Sequence, residues 1–123
     1  MTRAPPSGGA LVAFVDANVT FMSTDSLESA AELFKALSSA SRLRLLRHLG
    51  HGDAGVTALV EASGLAQPLV SQHLRVLRAA GLVEVNRVGR EAIYSVADRH
   101  VSHIVDDAVA HVGEAPAVEV RAR

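Results

Sequence analysis

The chain has 123 residues, 49% of them hydrophobic and 20% charged. That is the composition of one globular domain and excludes an intrinsically disordered chain. The absence of cysteine excludes a disulfide framework, a thiolate metal site and a cysteine nucleophile, while 3% aromatics without tryptophan provide no base-stacking platform.

The formal net charge is −1, but its distribution is uneven. Residues 41–90 carry seven arginines against Asp53, Glu61 and Glu84, and both flanking stretches are net acidic. A basic middle lets one face meet a polyanion even when the whole chain is nearly neutral. The apolar runs are too short to span a bilayer, so no membrane partner is expected.

Residues 1–22 read as a disordered arm, because Ala4-Pro5-Pro6-Ser7-Gly8-Gly9 is rich in turn formers. The apolar stretch Leu11 to Val15 is short, is followed by Asp16, and has only Arg3 before it. It therefore does not read as a secretory leader, and a cytoplasmic protein is expected. Met22 is an alternative start. Residues 23–114 read as the folded domain and residues 115–123 as a flexible tail.

Asp25 or Ser26 can cap a first helix whose apolar positions are Leu27, Ala30, Ala31, Leu33, Phe34 and Leu37. Ser38-Ser39-Ala40-Ser41 interrupts it, and Ser41 can cap a second helix carrying Leu43, Leu45, Leu46 and Leu49. Thr57 can cap a short third helix that stops at Gly64. Pro68 suits the first position of a fourth, which runs to about Ala80 and ends at Gly81. The period then changes. Leu82, Val83 and Val85 form one strand, Asn86 to Arg90 a turn around Gly89, and Ala92 to Val96 a second strand. Asp98 caps a last helix expected to end near Gly113.

The third and fourth helices, with a tight turn between them, form a helix-turn-helix. On the fourth, Leu69, Leu74 and Leu77 are expected to pack inward, with Val70 less deep. Gln67, Ser71, Gln72 and Arg75 occupy the polar, N-terminal half, from which such helices read DNA. Glutamine and arginine present forked donors and acceptors to base edges, and serine suits phosphates. Arg87 and Arg90 sit at the tip of the hairpin, placed to enter a minor groove or grip phosphate.

Three segments together resemble the ArsR/SmtB family of bacterial metal-sensing repressors: Ser41-Arg42-Leu43, the run from Val70 to Val83 (VSQHLRVLRAAGLV), and Arg87-Val88-Gly89-Arg90-Glu91 with Tyr94. The resemblance covers roughly residues 25–114. It implies a mainly α fold with a β-hairpin wing, a winged helix-turn-helix dimerised through its first and last helices. It also implies a homodimer that binds double-stranded operator DNA, represses transcription and leaves the operator when an inducer binds. Gln67, Ser71, Gln72 and Arg75 would be DNA contacts, with Arg87 and Arg90 in the wing. His73, beside Leu74 and Leu77, reads first as a partly packed histidine and second as a DNA contact.

The last helix carries Asp98, His100, His103, Asp107, His111 and Glu114. From His100 onward these recur at i, i+3, i+7, i+11 and i+14, one face at about 100° per residue. Beside it runs an apolar stripe of Val101, Ile104, Val105, Ala108 and Val112. Histidine and carboxylate donors suit zinc or a similar borderline ion. His100 and His111 stand about 16 Å apart along a helix, too far for one ion. Two antiparallel copies could meet, with Asp98 and His100 of one against His111 and Glu114 of the other, giving two equivalent sites per dimer.

The resemblance implies the same quartet, since Asp98, His100, His111 and Glu114 match the interhelical site of zinc-responsive members in type and spacing. It also implies that His111 donates to a main-chain carbonyl near Ala80 or Gly81. His103 lies outside the quartet and would serve as an extra ligand if the inducer were Ni2+ or Co2+ rather than Zn2+. The competing readings are a solvated polar helix face, a small metal-binding enzyme, and a dimeric protein-interaction module. Four protein ligands close a tetrahedral site, and no nucleophile constellation or phosphate loop is present, so no enzyme is expected.

Overall fold

A computed structural model describes the backbone of residues 19–122 and the side chains of residues 25–114. Among the described residues five helices and three short strands follow in the order α1 (Val19–Leu37), α2 (Ala40–His51), β1 (Ala54–Gly55), α3 (Val56–Ser63), α4 (Gln67–Ala79), β2 (Val83–Val88), β3 (Glu91–Val96) and α5 (Arg99–Ala122). The chain divides into two units after Lys35. The arm expected over residues 1–22 lies outside the described residues up to position 18, and its last four residues open α1.

α1 starts six residues before Asp25, which therefore does not cap it. No glycine or proline lies between Val19 and Asp25 to stop the helix propagating backwards. The cap of α2 is Ser39 rather than Ser41. Ser39 has an extended backbone (φ −152°, ψ 123°), and its Oγ accepts from the Arg42 amide at 3.2 Å. Ser41 already lies inside the first turn, where an N-cap bond cannot form.

Thr57 is likewise inside α3. The N-cap there is Gly55, the second residue of β1, which has no side chain with which to cap the helix. α4 opens one residue earlier than expected, with Pro68 in its second position, where an amide hydrogen is not needed for the helix.

The end of α4 determines how the chain enters the wing. Gly81 adopts φ +76°, the Gly81 amide donates to the Arg78 carbonyl at 3.0 Å, and the Leu82 amide donates to the Leu77 carbonyl at 2.9 Å. These two bonds form a Schellman motif, and its hydrophobic pair, Leu77 with Leu82, is fully buried. A Cβ at Gly81 would meet nothing within 4 Å, so alanine there would suffer backbone strain alone. Gly81→Ala is expected to lower stability by about 1 kcal/mol, read from urea denaturation, while leaving the fold unchanged.

The three strands form one antiparallel sheet in the order β1-β3-β2. Val83 pairs with Val96 at the base of the wing and Val88 with Glu91 at its tip. The turn is therefore only Gly89-Arg90, tighter than the expected Asn86–Arg90 loop, with Gly89 at φ +65°. Two-residue hairpins need positive φ in the turn to match strand twist, and glycine supplies it. β1 is absent from the sequence reading. It pairs Ala54 with Tyr94 and Gly55 with Ile93, covering the outer edge of β3.

The core is aliphatic. Leu45, Leu46 and Leu49 of α2, Leu59 of α3, Val70, Leu74 and Leu77 of α4, Leu82 and Val83, and Val101 and Val105 of α5 are all buried. The expected order of Leu69 and Val70 is reversed: Val70 is 0% exposed and Leu69 44%. Val70, Leu74 and Leu77 fall at i, i+4 and i+7, a single stripe, while Leu69 projects about 100° away from it. On α5 only the first half of the expected apolar stripe is buried, since Ala108 and Val112 are exposed. The helix then passes Gly113 and Pro116 and continues to Ala122, beyond the expected end, although Pro116 removes one intrahelical hydrogen bond. Side chains of the tail expected over 115–123 lie outside the described residues.

Candidate nucleic-acid interface and ligand helix

α3, the turn at Gly64-Leu65-Ala66 and α4 present one amphipathic helix to solvent. The Ser63 hydroxyl accepts from the Leu65 amide at 3.1 Å, and the Gly64 amide donates to the Val60 carbonyl at 2.9 Å, so the turn is held by its own hydrogen bonds. With Val70, Leu74 and Leu77 buried, the face of α4 that remains outermost carries Gln72 and Arg75, both exposed. Neither makes a hydrogen bond or ion pair among the described residues, so their forked polar ends are free. Gln67 donates to the Ser71 hydroxyl at 3.2 Å, tying together the two polar residues on the flank of that face. His73 is half-buried, with its Nδ1 3.4 Å from Nη1 of Arg42.

At the wing tip the two arginines differ. Nη1 of Arg87 donates to the Arg90 carbonyl across the turn at 3.3 Å. Arg90 is exposed, and its guanidinium has no partner among the described residues. Arg87 is also exposed, and its bond across the turn uses one of its five guanidinium donors, so both arginines keep free donors at the tip.

α5 begins as expected. Asp98 caps it, with Oδ1 accepting from the Val101 amide at 3.2 Å, and the same oxygen lies 3.6 Å from Nδ1 of His100. His100, His103, Asp107, His111 and Glu114 are all exposed on one side of the helix. Among the described residues no three histidine or carboxylate side chains of one chain come close enough to hold a metal ion. His111 makes no hydrogen bond among the described residues, so the expected contact with a carbonyl near Ala80 or Gly81 is not formed within one chain.

Asp106, just outside the histidine and carboxylate side, sits 3.5 Å from Nε of Arg47 and links α5 to α2. Sequence reading missed this pair and the Arg42–His73 contact, since nothing in spacing announces a pairing between separate helices. No helix among the described residues is long and apolar enough to cross a membrane.

A bundle of α2, α3 and α4 followed by an antiparallel hairpin, with a polar exposed second helix, defines a winged helix-turn-helix, a DNA-binding class of domain. The family profile described as bacterial regulatory protein, arsR family, matches residues 39–85. The chain is 49% identical over 88 residues to the HTH-type transcriptional repressor SmtB of Mycobacterium tuberculosis, covering 72% of this chain and 65% of that repressor. It is 40% identical over 93 residues to the transcriptional repressor SmtB homolog of Synechocystis, covering 76% of this chain and 70% of that protein. Among solved structures, a homodimeric winged helix-turn-helix DNA-binding domain from Mycobacterium bovis superposes with TM-score 0.72 at 28% identity, covering 80% of this chain and 91% of that chain. This chain belongs to the ArsR family of bacterial regulatory proteins. Its relatives are transcriptional regulators rather than enzymes, in line with the expectation from sequence.

Proposed function

We propose that the protein is a homodimeric transcriptional repressor that binds double-stranded operator DNA and releases it in response to zinc held between the α5 helices. One observation carries the metal part of this reading. The His/Asp/Glu side of α5 is exposed, and among the described residues of one chain no metal site is assembled from it. An unpaired ligand face of this kind becomes a site when an antiparallel copy lies against it. Exposed apolar side chains offer surface for that copy: Leu27 at 73% and Phe34 at 56% on α1, and Val112 at 65% on α5.

The donors fit the ion. Imidazole nitrogens and carboxylate oxygens are zinc ligands, and four of them complete a tetrahedral site. Asp98 and His100 of one protomer, with His111 and Glu114 of the partner subunit, would hold it. Bound zinc would supply a bridge between helices and no reaction chemistry. Gln67, Ser71, Gln72 and Arg75 read the major groove, and Arg87 and Arg90 meet the flanking minor groove or its phosphates. Val101 and Val105 pack α5 into the same core that carries α4, so a change in how two α5 helices lie changes the spacing of the two α4 helices. Operators present half-sites at fixed spacing, and a modest mismatch is enough to lower affinity.

His103 favours a second version, in which the same fold responds to nickel or cobalt. It is exposed on the ligand side and could raise the coordination number. The absorption spectrum of the cobalt-loaded protein separates the two, tetrahedral for the quartet and six-coordinate with His103.

Fluorescence anisotropy on a duplex from the protein's own upstream region, at one fixed salt concentration, tests the whole reading. Chelated protein is expected to bind, and a slight excess of zinc to weaken binding on the order of tenfold to a hundredfold. Tight binding indifferent to zinc would leave the winged-helix repressor and remove zinc as its effector.

A further inference from the structure

Arg42 belongs to the family signature at the start of α2, yet neither the DNA face nor the ligand helix uses it. Its half-buried side chain makes two contacts with other helices. Nε donates to the Ala36 carbonyl in the last turn of α1, and Nη1 faces Nδ1 of His73 on α4 at 3.4 Å. The final carbonyls of a helix lack intrahelical donors, and a cation there is favoured by the helix dipole. A guanidinium carries only donors. Nδ1 of His73 is therefore the acceptor in this contact, which places the ring proton on Nε2. Because the donors of a guanidinium are held in one rigid plane, contacts made to two elements at once fix those elements relative to each other.

We propose that Arg42 is a positioning residue for operator recognition. By holding the Ala36 carbonyl and His73 together, it sets how α4, with Gln72 and Arg75 on its outer face, is presented to DNA. The proposal rests on the DNA-binding reading above, and its test keeps the two apart.

The first measurement is the tautomer of His73, from long-range 15N–1H correlations of the DNA-free protein. The Nε2–H form is expected in the wild type, with the preference lost in Arg42→Met. A wild-type proton on Nδ1 would overturn the contact whatever DNA does. The second measurement is operator affinity by anisotropy. Arg42→Met and His73→Leu are each expected to weaken binding about tenfold, with the double variant no weaker than either single one.

Arg42→Lys should recover only part of the loss, because an ammonium does not reproduce the rigid fork. The slope of log affinity against log salt should stay at its wild-type value in Arg42→Met, since no phosphate contact is removed. A slope reduced by about one phosphate would make Arg42 a direct DNA contact and overturn the positioning role. Additive losses, or unchanged affinity in both single variants, would overturn it as well. Thermal melting accompanies each variant, and if Arg42→Met does not fold, His73→Leu and Arg42→Lys carry the comparison. A wild-type protein that binds no duplex would defeat the DNA reading and the role of Arg42 in it, while the tautomer result would still report on the contact.

Discussion

Replacing His111 with alanine is expected to leave operator binding by the chelated protein intact and to abolish its release by zinc. His111 is exposed and has no hydrogen-bond partner among the described residues, so its loss should change stability by no more than about 0.5 kcal/mol. The same exposure makes it available to a second chain. In the proposed dimer each symmetric site would lose one of four ligands, and both sites would be affected alike. The zinc-dependent change in affinity should then collapse from tens of fold to roughly one, because an effector shifts an equilibrium only by its differential affinity for the two states. Anisotropy with and without zinc reads this directly, and competition with a chromophoric chelator reads zinc affinity separately. A His111→Ala protein that still binds zinc tightly and still leaves the operator would remove His111 from the site. Loss of tight zinc binding without loss of release would instead locate the effector elsewhere on the chain.

Leu77→Ala is expected to be the most destabilising single truncation on α4. The side chain is 0% exposed and closes the Schellman end of the helix against Leu82. Removing a leucine side chain from such a site costs its transfer free energy and leaves a cavity, about 3 kcal/mol in total. For a domain of this size that is a large share of the whole stability, and the melting temperature should fall by about 10–20 °C. The comparison needs one fixed protomer concentration, since assembly shifts apparent stability. Gln72→Ala, on the exposed side of the same helix, should melt like the wild type while weakening operator binding. A loss below about 1 kcal/mol for Leu77→Ala would mean that α4 is not anchored through this residue.

Much of the architecture is legible along the chain because each device is local. Gly64 and Gly81 end helices, Gly89 turns the hairpin, Asp98 caps α5, and every one of these acts within a few residues of itself. The histidine and carboxylate stripe on α5 is legible for the same reason, since a helix converts spacing into direction without help from its neighbours.

What only the tertiary structure decided lies where sequence offers equivalent choices or where partners are distant. Ser39 and Ser41 are both competent caps, and the place where the backbone becomes extended selected Ser39. Leu69 and Val70 are both apolar, and the orientation of α4 on the core buried Val70. β1 is two residues long, too short to show any period, and exists because the edge of β3 had unpaired backbone groups to offer. Arg42 and His73 stand thirty-one positions apart and meet only once α2 and α4 have docked. Local rules of capping and periodicity are carried by neighbouring residues and can be read in order. Contacts between elements depend on how helices dock, and that is settled by burying the shared aliphatic core.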